Sequence, residues 1–334
     1  IIIGSGSYIP TKIIGRDHFM DSVFYTDEGD KINKPNEEII QKFVEITEIE
    51  NRRYLEDDEF NSDLGFRAAK EAIYDAKINQ EDLDYIIYAS NFGEVDKNGM
   101  TNFMPSMSAR LKNKLGIQNR NCVNYDMIFG CPGWVEAMIL ADTLIKAKKA
   151  KLILVVGSET LSRVTDAFDR NKMIFADGAG AVVVQATDDE NVGIIADCTI
   201  CDNDVELNYL ENAPSLKQDE DRRPLYIRMH GRKIYEYALK NVPDAIKQTI
   251  DKAGLTIDDI DKILIHQANA KMDYAMISRL FKLYGKKDYD HAIAPMTIQQ
   301  FGNSSVATIP TMFDLIIKGE MKDQSFADKG NIVF

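Results

Sequence analysis

The stretches AAKEAIYDAKINQEDLDYIIYAS (residues 68–90) and AIKQTIDKAGLTIDDIDKILIHQ (residues 245–267) repeat one pattern at an offset of 177 residues (245 − 68). Each begins with apolar residues at helical spacing, continues through a short acidic segment and ends in a continuous apolar run. Such a run is typical of a parallel strand buried on both faces of its sheet. Chance similarity between two helix–strand units is the alternative, but the helix register and the acidic segment agree together, which favours a duplicated unit.

The repeat extends beyond these two stretches. The apolar run KLILVV at 151–156 has its counterpart, at the same offset, in NIVF at 331–334. In the first copy, a turn and a strand at 181–185 come next. Their counterparts in the second copy would lie up to about 30 residues beyond residue 334. We therefore expect the sequence to be clipped at its C-terminal end. Alternating helices and buried strands predict an α/β fold with two similar halves, 1–187 and 188–334, and mainly parallel sheets covered by helices.

Composition excludes several classes of protein. Of the 334 residues, 45% are hydrophobic and 28% are charged, which suits a large folded core and argues against disorder. No apolar run reaches the ~18 residues that a membrane span needs. The formal net charge of −13 argues against broad binding of nucleic acid. The four cysteines are too few and too scattered for a disulfide framework, so we expect a cytoplasmic protein with reduced thiols.

Cys131 is the first candidate for chemistry. It lies in FGCPGWVEAM (129–138), where Gly130 permits a sharp turn and Pro132 suits the first position of a helix. Unpaired N–H groups and the helix dipole favour a thiolate at a helix N-terminus, which is how a nucleophilic cysteine arises. A small buried cysteine at a strand–helix junction is the alternative, and this segment alone does not separate the two.

His266 and Asn303 are the other candidates. His266 directly follows a predicted strand at 263–265 and precedes a predicted helix, so its side chain is expected at the crevice where α/β proteins bind ligands. Asn303 follows Gly302 in FGNSSVATIP, and either Asn303 or Ser304 is expected to cap the next helix. A structural histidine and a simple helix cap are the alternatives. Because all three candidates stand at strand–turn–helix junctions, we expect loops from both halves to converge.

Other signals are weaker. The motif GSGS at 4–7 lacks the lysine of a phosphate-binding loop and is interpreted as the end of a strand. The CxxC motif at 198–201 has no second pair, so a zinc site is not expected, and no metal is assigned. The polar, acidic stretch 201–224 is interpreted as a loop.

Taken together, these segments resemble the beta-ketoacyl-acyl-carrier-protein synthase III family of the thiolase superfamily. The similarity covers essentially the whole chain in order, and HQAN followed by GNSS at this spacing is its most specific part. It implies a five-layer αβαβα fold built from two related halves, and a homodimer formed through the first half. The matching motifs are GSGSYIP (4–10), PSMSARLKNKLGI (105–117), GCPGW (130–134), GSETLSR (157–163), DRNKMIFADGAGAVVV (169–184), MHGRKIYEYAL (229–239), HQAN (266–269) and FGNSSVATIP (301–310).

The resemblance implies a role for each of the three candidates. Cys131 would accept an acyl group from acyl-CoA, and its backbone N–H would contribute to the oxyanion hole. A malonyl group on acyl carrier protein would then lose carbon dioxide, with His266 and Asn303 donating hydrogen bonds to the enolate oxygen. The carbanion would attack the acyl-cysteine and give a beta-ketoacyl product. No cofactor is implied, since CoA and carrier-protein thioesters are the substrates.

The resemblance also implies roles for further residues. Asn269 matches an asparagine that contacts pantetheine, and Arg170 matches a basic residue near the CoA nucleotide. Phe103 and Met104 are candidates for shaping the acyl pocket of the partner subunit. For docking the acidic carrier protein, the expected basic residues are Lys271 and Arg279.

Two departures from the family stand out. The tryptophan that stacks on adenine is not found, because residues 36–53 contain none and the single tryptophan is Trp134. Related head-to-head condensing enzymes use a glutamate as general base, which makes Glu94 a candidate for that role, with a solvated loop charge as its alternative.

Three other functions remain open at this stage. The same fold could carry out non-decarboxylative condensation or acyl transfer to another acceptor. A Cys–His–Asn set could also serve a thiol-dependent thioester hydrolase. A non-catalytic partner subunit is the third alternative, although such subunits often lose the cysteine that is present here.

Overall fold

The computed structural model describes residues 1–189, 192–217, 225–328 and 330–334. Its strands are β1 (Ile2–Tyr8), β2 (Lys12–Ile14), β3 (Arg52–Tyr54), β4 (Tyr85–Ala89), β5 (Glu94–Val95), β6 (Thr101–Asn102), β7 (Val123–Met127), β8 (Leu152–Thr160), β9 (Asp177–Gln185), β10 (Leu210–Ala213), β11 (Tyr226–Met229), β12 (Ile260–Ile263) and β13 (Asn331–Val333). Its α-helices are α1 (Asn36–Thr47), α2 (Asn61–Ala76), α3 (Met107–Lys114), α4 (Gly133–Lys146), α5 (Gly231–Lys252), α6 (Ala270–Leu283), α7 (Ile298–Phe301) and α8 (Thr308–Ile317).

A five-stranded mixed sheet organises the first half, in the order β1-β9-β8-β4-β7. Strand β4 runs parallel to both β7 and β8, whereas β9 runs antiparallel to β8 and β1. Strands β8 and β9 are buried along almost their whole length, since helices cover both faces of the sheet. The apolar runs of the sequence therefore became central strands, and β7 is left at one edge.

Helices and sheets alternate in five layers. One face of the first sheet packs on α2 and α3 through a buried cluster that includes Leu64, Ala68 and Leu111. The other face packs on α4 and α8, and Leu264 joins this second cluster from the far side. Helices α4 and α8 thus lie between the first sheet and the parallel pair β12–β13, which α5 and α6 cover from outside. The predicted α-β-α-β-α order is confirmed.

The repeated stretches have matching structures. In both, a long helix (α2 or α5) leads through a single 3-10 turn into a strand, β4 or β12. Acidic and polar side chains hold these turns: the Asn79 side chain accepts from the Glu81 N–H, and Thr256 forms a capping box with Asp259. This explains why an acidic segment stands at the same place in each copy.

Some element boundaries differ from the prediction. The strand expected at 263–265 covers Ile260–Ile263, and the Leu264 N–H extends its pairing by donating to the Val333 carbonyl at 2.8 Å. The stretch interpreted as a loop, 201–224, contains strand β10, which pairs antiparallel with β11. Part of that stretch, 218–224, lies outside the described residues. None of the helices in the described ranges is both long and apolar enough to cross a bilayer.

Candidate active site

Cys131 stands where strand β7 turns into helix α4. Gly130 adopts φ +69°, and Asn91 holds this turn by accepting from the Gly130 N–H at 2.9 Å. Pro132 is the N-cap of α4, so Cys131 lies beside the unpaired N–H groups at the start of that helix. The half-buried thiol lines the large cavity between the two halves, which favours the interpretation as a nucleophile over that as a core cysteine.

His266 follows the β12 pairing and faces Cys131 within hydrogen-bonding reach. Its Nδ1 lies 3.3 Å from the Ser305 carbonyl oxygen, which can only accept. Nδ1 therefore carries a proton, and the neutral ring keeps a lone pair on Nε2. Nε2 makes no other hydrogen bond within the described residues, which leaves it for the thiol or for a ligand.

Asn303 is held rigidly between the two halves. Its backbone pairs with the segment just before β9. The Asn303 N–H donates to the Ile174 carbonyl, and the Asn303 carbonyl accepts from the Ala176 N–H. The side-chain Oδ1 accepts from the Ser305 N–H at 2.8 Å, which leaves the Nδ2 donor for the cavity. Ser304 is the N-cap of the 3-10 turn Ser305–Ala307 that leads into α8, as expected for one of the two candidates, but its side chain makes no capping hydrogen bond there. The Asn303 side chain bonds within its own turn.

Cys131, His266 and Asn303 line one cavity of about 600 Å³. Cys131 comes from the first half, and His266 and Asn303 come from the second, so the predicted convergence of loops is confirmed. The rest of the wall is largely apolar, which suits the acyl chain of a thioester. Among the apolar wall residues are Phe92, Phe129, Leu161, Phe175, Ile227 and Met229.

Electrostatics favour the thiolate of Cys131. Burial alone would raise the pKa of this thiol, but the charge of His266 and hydrogen bonds from His266 and Ser305 lower it to about 7. For His266, burial disfavours the cation, but the negative charges of Cys131 and Asp273 raise its pKa overall. The lowered pKa of Cys131 and the raised pKa of His266 both favour the charged forms, a thiolate beside an imidazolium.

Two buried carboxyl groups near the site were missed by the sequence analysis. Glu159, on β8, accepts from the Asn91 N–H, and burial raises its pKa to about 8. Asp273, on α6, has a pKa that burial raises to about 8, with His266 opposing that shift. The available signal was a charged residue inside an apolar pattern, because Asp273 shares a helix face with Met276 and Ile277.

The remaining predicted residues are dispersed. Asn269 is the N-cap of α6 and accepts from the Met272 N–H at 3.2 Å, while Arg170 and Lys271 are exposed. Arg279 lies 3.7 Å from Asp244 in an ion pair.

Two groups of predicted residues lie away from the cavity wall. Phe103 and Met104 are exposed by 52% and 82% and do not line this chain's cavity. Glu94 is buried and accepts from Ser62, at 2.9 Å from N–H and 2.7 Å from Oγ, with Arg110 3.6 Å away. These bonds give Glu94 a structural role within its own chain.

The described residues contain no group of three or more histidine, cysteine or acidic side chains placed to hold a metal ion. The CxxC sulfurs have separate neighbours, since Cys198 contacts Gln248 and Cys201 contacts Asn203.

Two sheets with helices between them, and a cysteine at a central helix N-terminus facing histidine and asparagine, define the class of thiolase-like condensing acyltransferases. The chain matches the family model described as 3-Oxoacyl-[acyl-carrier-protein (ACP)] synthase III over residues 125–203, and the model of its C-terminal part over residues 250–326. The first region contains Cys131, and the second contains His266 and Asn303.

Relatives and solved structures agree with these matches. The chain is 32% identical to beta-ketoacyl-[acyl-carrier-protein] synthase III of Erythrobacter litoralis over 321 residues, 95% of this chain and 90% of that protein. It is 32% identical to the protein of that name from Staphylococcus aureus over 324 residues, 96% of this chain and 91% of that one. The crystal structure of 3-oxoacyl-[acyl-carrier-protein] synthase III from Aquifex aeolicus superposes with a TM-score of 0.78 at 28% identity, covering 96% of this chain and 92% of that chain. The chain belongs to the beta-ketoacyl-[acyl-carrier-protein] synthase III family.

Proposed function

We propose that the protein condenses an acyl-CoA with malonyl-acyl carrier protein, by decarboxylation and through an acyl group on Cys131, to give a beta-ketoacyl product for lipid or polyketide synthesis. The observation that carries the proposal is the meeting of Cys131, His266 and Asn303 at one largely apolar cavity, with the thiol pKa lowered to about 7. The reaction needs only the two thioester substrates and no further cofactor.

The first half-reaction uses Cys131 and His266. The thiolate attacks the thioester carbonyl, and the N–H groups at the start of α4 stabilise the tetrahedral oxyanion. CoA leaves as a thiolate and takes the proton that His266 carries on Nε2. The product of this step is acyl-Cys131, with its chain along the apolar wall.

The second half-reaction uses His266 and Asn303. Loss of carbon dioxide from the malonyl thioester places negative charge on the thioester oxygen. Asn303 presents its Nδ2 donor because its Oδ1 is occupied by the Ser305 N–H. His266 takes a proton from solvent to replace the one given to CoA, and it then presents Nε2–H, because its Nδ1 faces a carbonyl. The resulting carbanion attacks acyl-Cys131 and releases the thiolate.

The proposal includes a homodimer formed along β7. This strand is at the sheet edge, and it exposes apolar side chains that include Val123 and Tyr125. A two-fold axis at this edge would pair β7 with its copy and continue the sheet. Phe103 and Met104 would then be available to the acyl pocket of the partner subunit.

Docking of carrier protein and location in the cell complete the proposal. Lys271 and Arg279 lie on the same helix and would face an acidic carrier protein near the cavity. All four cysteines are free thiols, which supports the expected cytoplasmic location.

Incubation with acyl-CoA and then malonyl-carrier protein tests the reaction. We expect intact mass spectrometry to find the acyl group on Cys131, and carbon dioxide to be released in proportion to beta-ketoacyl product. The variant Cys131→Ala should lose both signals, while Cys122→Ala, at a buried cysteine outside the cavity wall, should retain them. Acylation of Cys131 with a condensed product but no carbon dioxide would support non-decarboxylative condensation, and free acid alone would support a hydrolase.

A further inference from the structure

Asn91 lies in the wall of the cavity, just after strand β4 ends at Ala89. Strand β4 runs parallel to β7 on one side and β8 on the other, so the segments that follow these three strands meet at one edge of the sheet. The Asn91 N–H donates to the Glu159 side chain on β8. This bond holds Asn91 beside the turn that follows β7 and carries Cys131.

The side-chain amide of Asn91 bonds to both backbone groups of Gly130. Its Oδ1 accepts from the Gly130 N–H at 2.9 Å, and its Nδ2 donates to the Gly130 carbonyl at 3.3 Å. Because a backbone N–H can only donate, these partners fix which way the amide points. The Gly130 carbonyl and the Cys131 N–H belong to one planar peptide group. Asn91 therefore sets the direction of the N–H that is proposed to bind the oxyanion.

The same amide also reaches the second half of the chain. Its Nδ2 donates to Ser305 Oγ at 3.4 Å, which uses the second of its two hydrogens. Ser305 in turn faces His266 Nδ1 with its carbonyl at 3.3 Å and donates its N–H to Asn303 Oδ1 at 2.8 Å. Its φ of +53° is uncommon for a residue with a side chain and persists only where neighbouring contacts hold it. Asn91 thus joins the turn of the nucleophile to the turn that orients both of its partners.

We propose that Asn91 is a positioning residue that ties the turn at Gly130–Cys131 to the turn at Asn303–Ser305. The tie keeps the thiol and the Cys131 N–H aligned with His266 across the two halves. Oδ1 and both Nδ2 hydrogens of Asn91 have partners within the chain, so the residue acts through these turns and does not bind substrate itself. The inference deepens the proposed function and rests on it, but the tie can be tested on the thiol of the free protein.

The charge of the Cys131 thiol reports on the tie. Burial raises the pKa of this thiol, while the charge of His266 and hydrogen bonds from His266 and Ser305 lower it to about 7. The other titratable group beside Cys131 is Glu159, whose pKa burial raises to about 8. Without the Asn91 amide, the Cys131 turn and the Ser305 hydroxyl are free to move apart. The thiolate then loses stabilisation, and the pKa of the thiol rises.

The pH dependence of iodoacetamide labelling tests the tie in Asn91→Ala. At pH 6 the thiolate is the minor form, so the labelling rate follows its stability directly. We expect Asn91→Ala to label Cys131 about fivefold more slowly than wild type at pH 6, and at an equal rate above pH 9, where the thiol is ionised in both proteins. Equal rates at pH 6 would overturn the proposal. Slowing by one factor at every pH would show reduced access to the thiol and would contradict it as well.

Asn119 provides a matched control. Its amide also bonds to three backbone groups, since Nδ2 donates to carbonyls at 2.9 Å and 3.5 Å and Oδ1 accepts from an N–H at 2.9 Å, but it lies outside the cavity wall. We expect Asn119→Ala to lower thermal stability about as much as Asn91→Ala does, and to leave Cys131 labelling at pH 6 within about twofold. Equal slowing in the two variants would show general loosening of the fold and would contradict a specific tie.

A variant at the far end of the tie gives an independent test, which also serves if Asn91→Ala does not fold. Ser305→Ala removes the hydroxyl that accepts from Asn91 and keeps the backbone groups that face His266 and Asn303. We expect it to slow Cys131 labelling at pH 6 by about threefold or more. Adding Asn91→Ala to this variant should cost less than it does in wild type, because one bond of the tie is already missing. Unchanged labelling in Ser305→Ala, or fully independent effects, would contradict the proposal.

Acyl transfer separates positioning from substrate binding. We expect Asn91→Ala to lower kcat for CoA release from acyl-CoA by about tenfold and to leave the KM for acyl-CoA within about twofold, because the bonds of the Asn91 amide lie within the chain. A raised KM with unchanged kcat would make Asn91 a substrate-binding residue and contradict the proposal. If wild type forms no acyl-Cys131, the proposed function fails, while the labelling experiments still decide whether Asn91 positions the thiol.

Discussion

At the scale of the residue, the reactivity of Cys131 depends on the charge of His266. Only the thiolate is alkylated, so a pKa of about 7 predicts that the rate rises with pH and is half-maximal near pH 7. In His266→Ala the cation is absent while the thiol stays buried, so the midpoint should move upward and the rate at pH 7 should fall by about tenfold or more. The measurement is the pH dependence of iodoacetamide labelling, followed by peptide mass spectrometry.

Cys122 is the internal control for this titration. Burial raises the pKa of its thiol, so it should label slowly in both proteins at neutral pH. Unchanged labelling of Cys131 in His266→Ala would show that the helix N-terminus alone sets the thiol charge.

The residues of the site differ in how predictable they were. Cys131, His266 and Asn303 each follow a strand end or a glycine turn, and the loops that carry them line one cavity although β7 and β12 belong to different sheets. Glu159 and Asp273 could not be predicted to lie near the site. A carboxyl group in an apolar pattern has the same local sequence whether it faces a functional group or a structural partner.

At the scale of the element, strand β8 and the turn before α8 approach too closely for any side chain at Gly157. A Cβ there would lie 2.3 Å from the Val306 carbonyl oxygen and 3.2 Å from Trp134. We therefore expect Gly157→Ala to reduce the free energy of unfolding by ~1–3 kcal/mol, because backbone must move to relieve the contact. Urea denaturation measures the change.

The position of that turn gives the substitution a second consequence. Asn303 and Ser305 precede Val306, so displacement of the turn should also reduce condensation. Gly15→Ala is the matched control, because a Cβ at Gly15 would meet only the Asn51 side chain at an ordinary 3.5 Å. If Gly157→Ala is as stable as Gly15→Ala, the backbone of β8 and the turn at Val306 can move apart at little cost, which would contradict the prediction.

The elements themselves were largely predictable where burial decides them. Strands β4, β8 and β9 appear as apolar runs because both faces of the sheet are covered. Strand β10 has the sequence LENA, and within the described part of the chain it pairs only with β11. It is held by backbone hydrogen bonds, which leave no hydrophobic pattern in the sequence. The start of β12 was misplaced because Asp261 and Lys262, which are only partly buried, separate Ile260 from the apolar run.

At the scale of the whole molecule, the edge strand β7 predicts the oligomeric state. We expect sedimentation equilibrium to show a dimer for the wild type and a monomer for the double variant Val123→Lys, Tyr125→Lys, since paired edges would bring like charges together. Tyr74→Lys is the control, because Tyr74 is 82% exposed on α2, outside this edge, and should remain dimeric. A double variant that is still a dimer would place the interface elsewhere.

The formal charge of −13 makes carrier-protein docking a local problem, since an acidic enzyme and an acidic partner repel each other at long range. Binding then depends on a few cations beside the cavity, and α6 offers exposed Lys271 and half-buried Arg279. We expect Lys271→Glu with Arg279→Gln to raise the KM for malonyl-carrier protein by about tenfold while acyl transfer from acyl-CoA is unchanged. Lys149→Glu is the control, because Lys149 is exposed just after the C-terminal end of α4, the end away from Cys131. It changes the net charge as Lys271→Glu does and should leave the KM for malonyl-carrier protein within about twofold. An equal rise in both proteins would mean that net charge controls docking, and an unchanged KM in the α6 variant would place the docking surface elsewhere on the molecule.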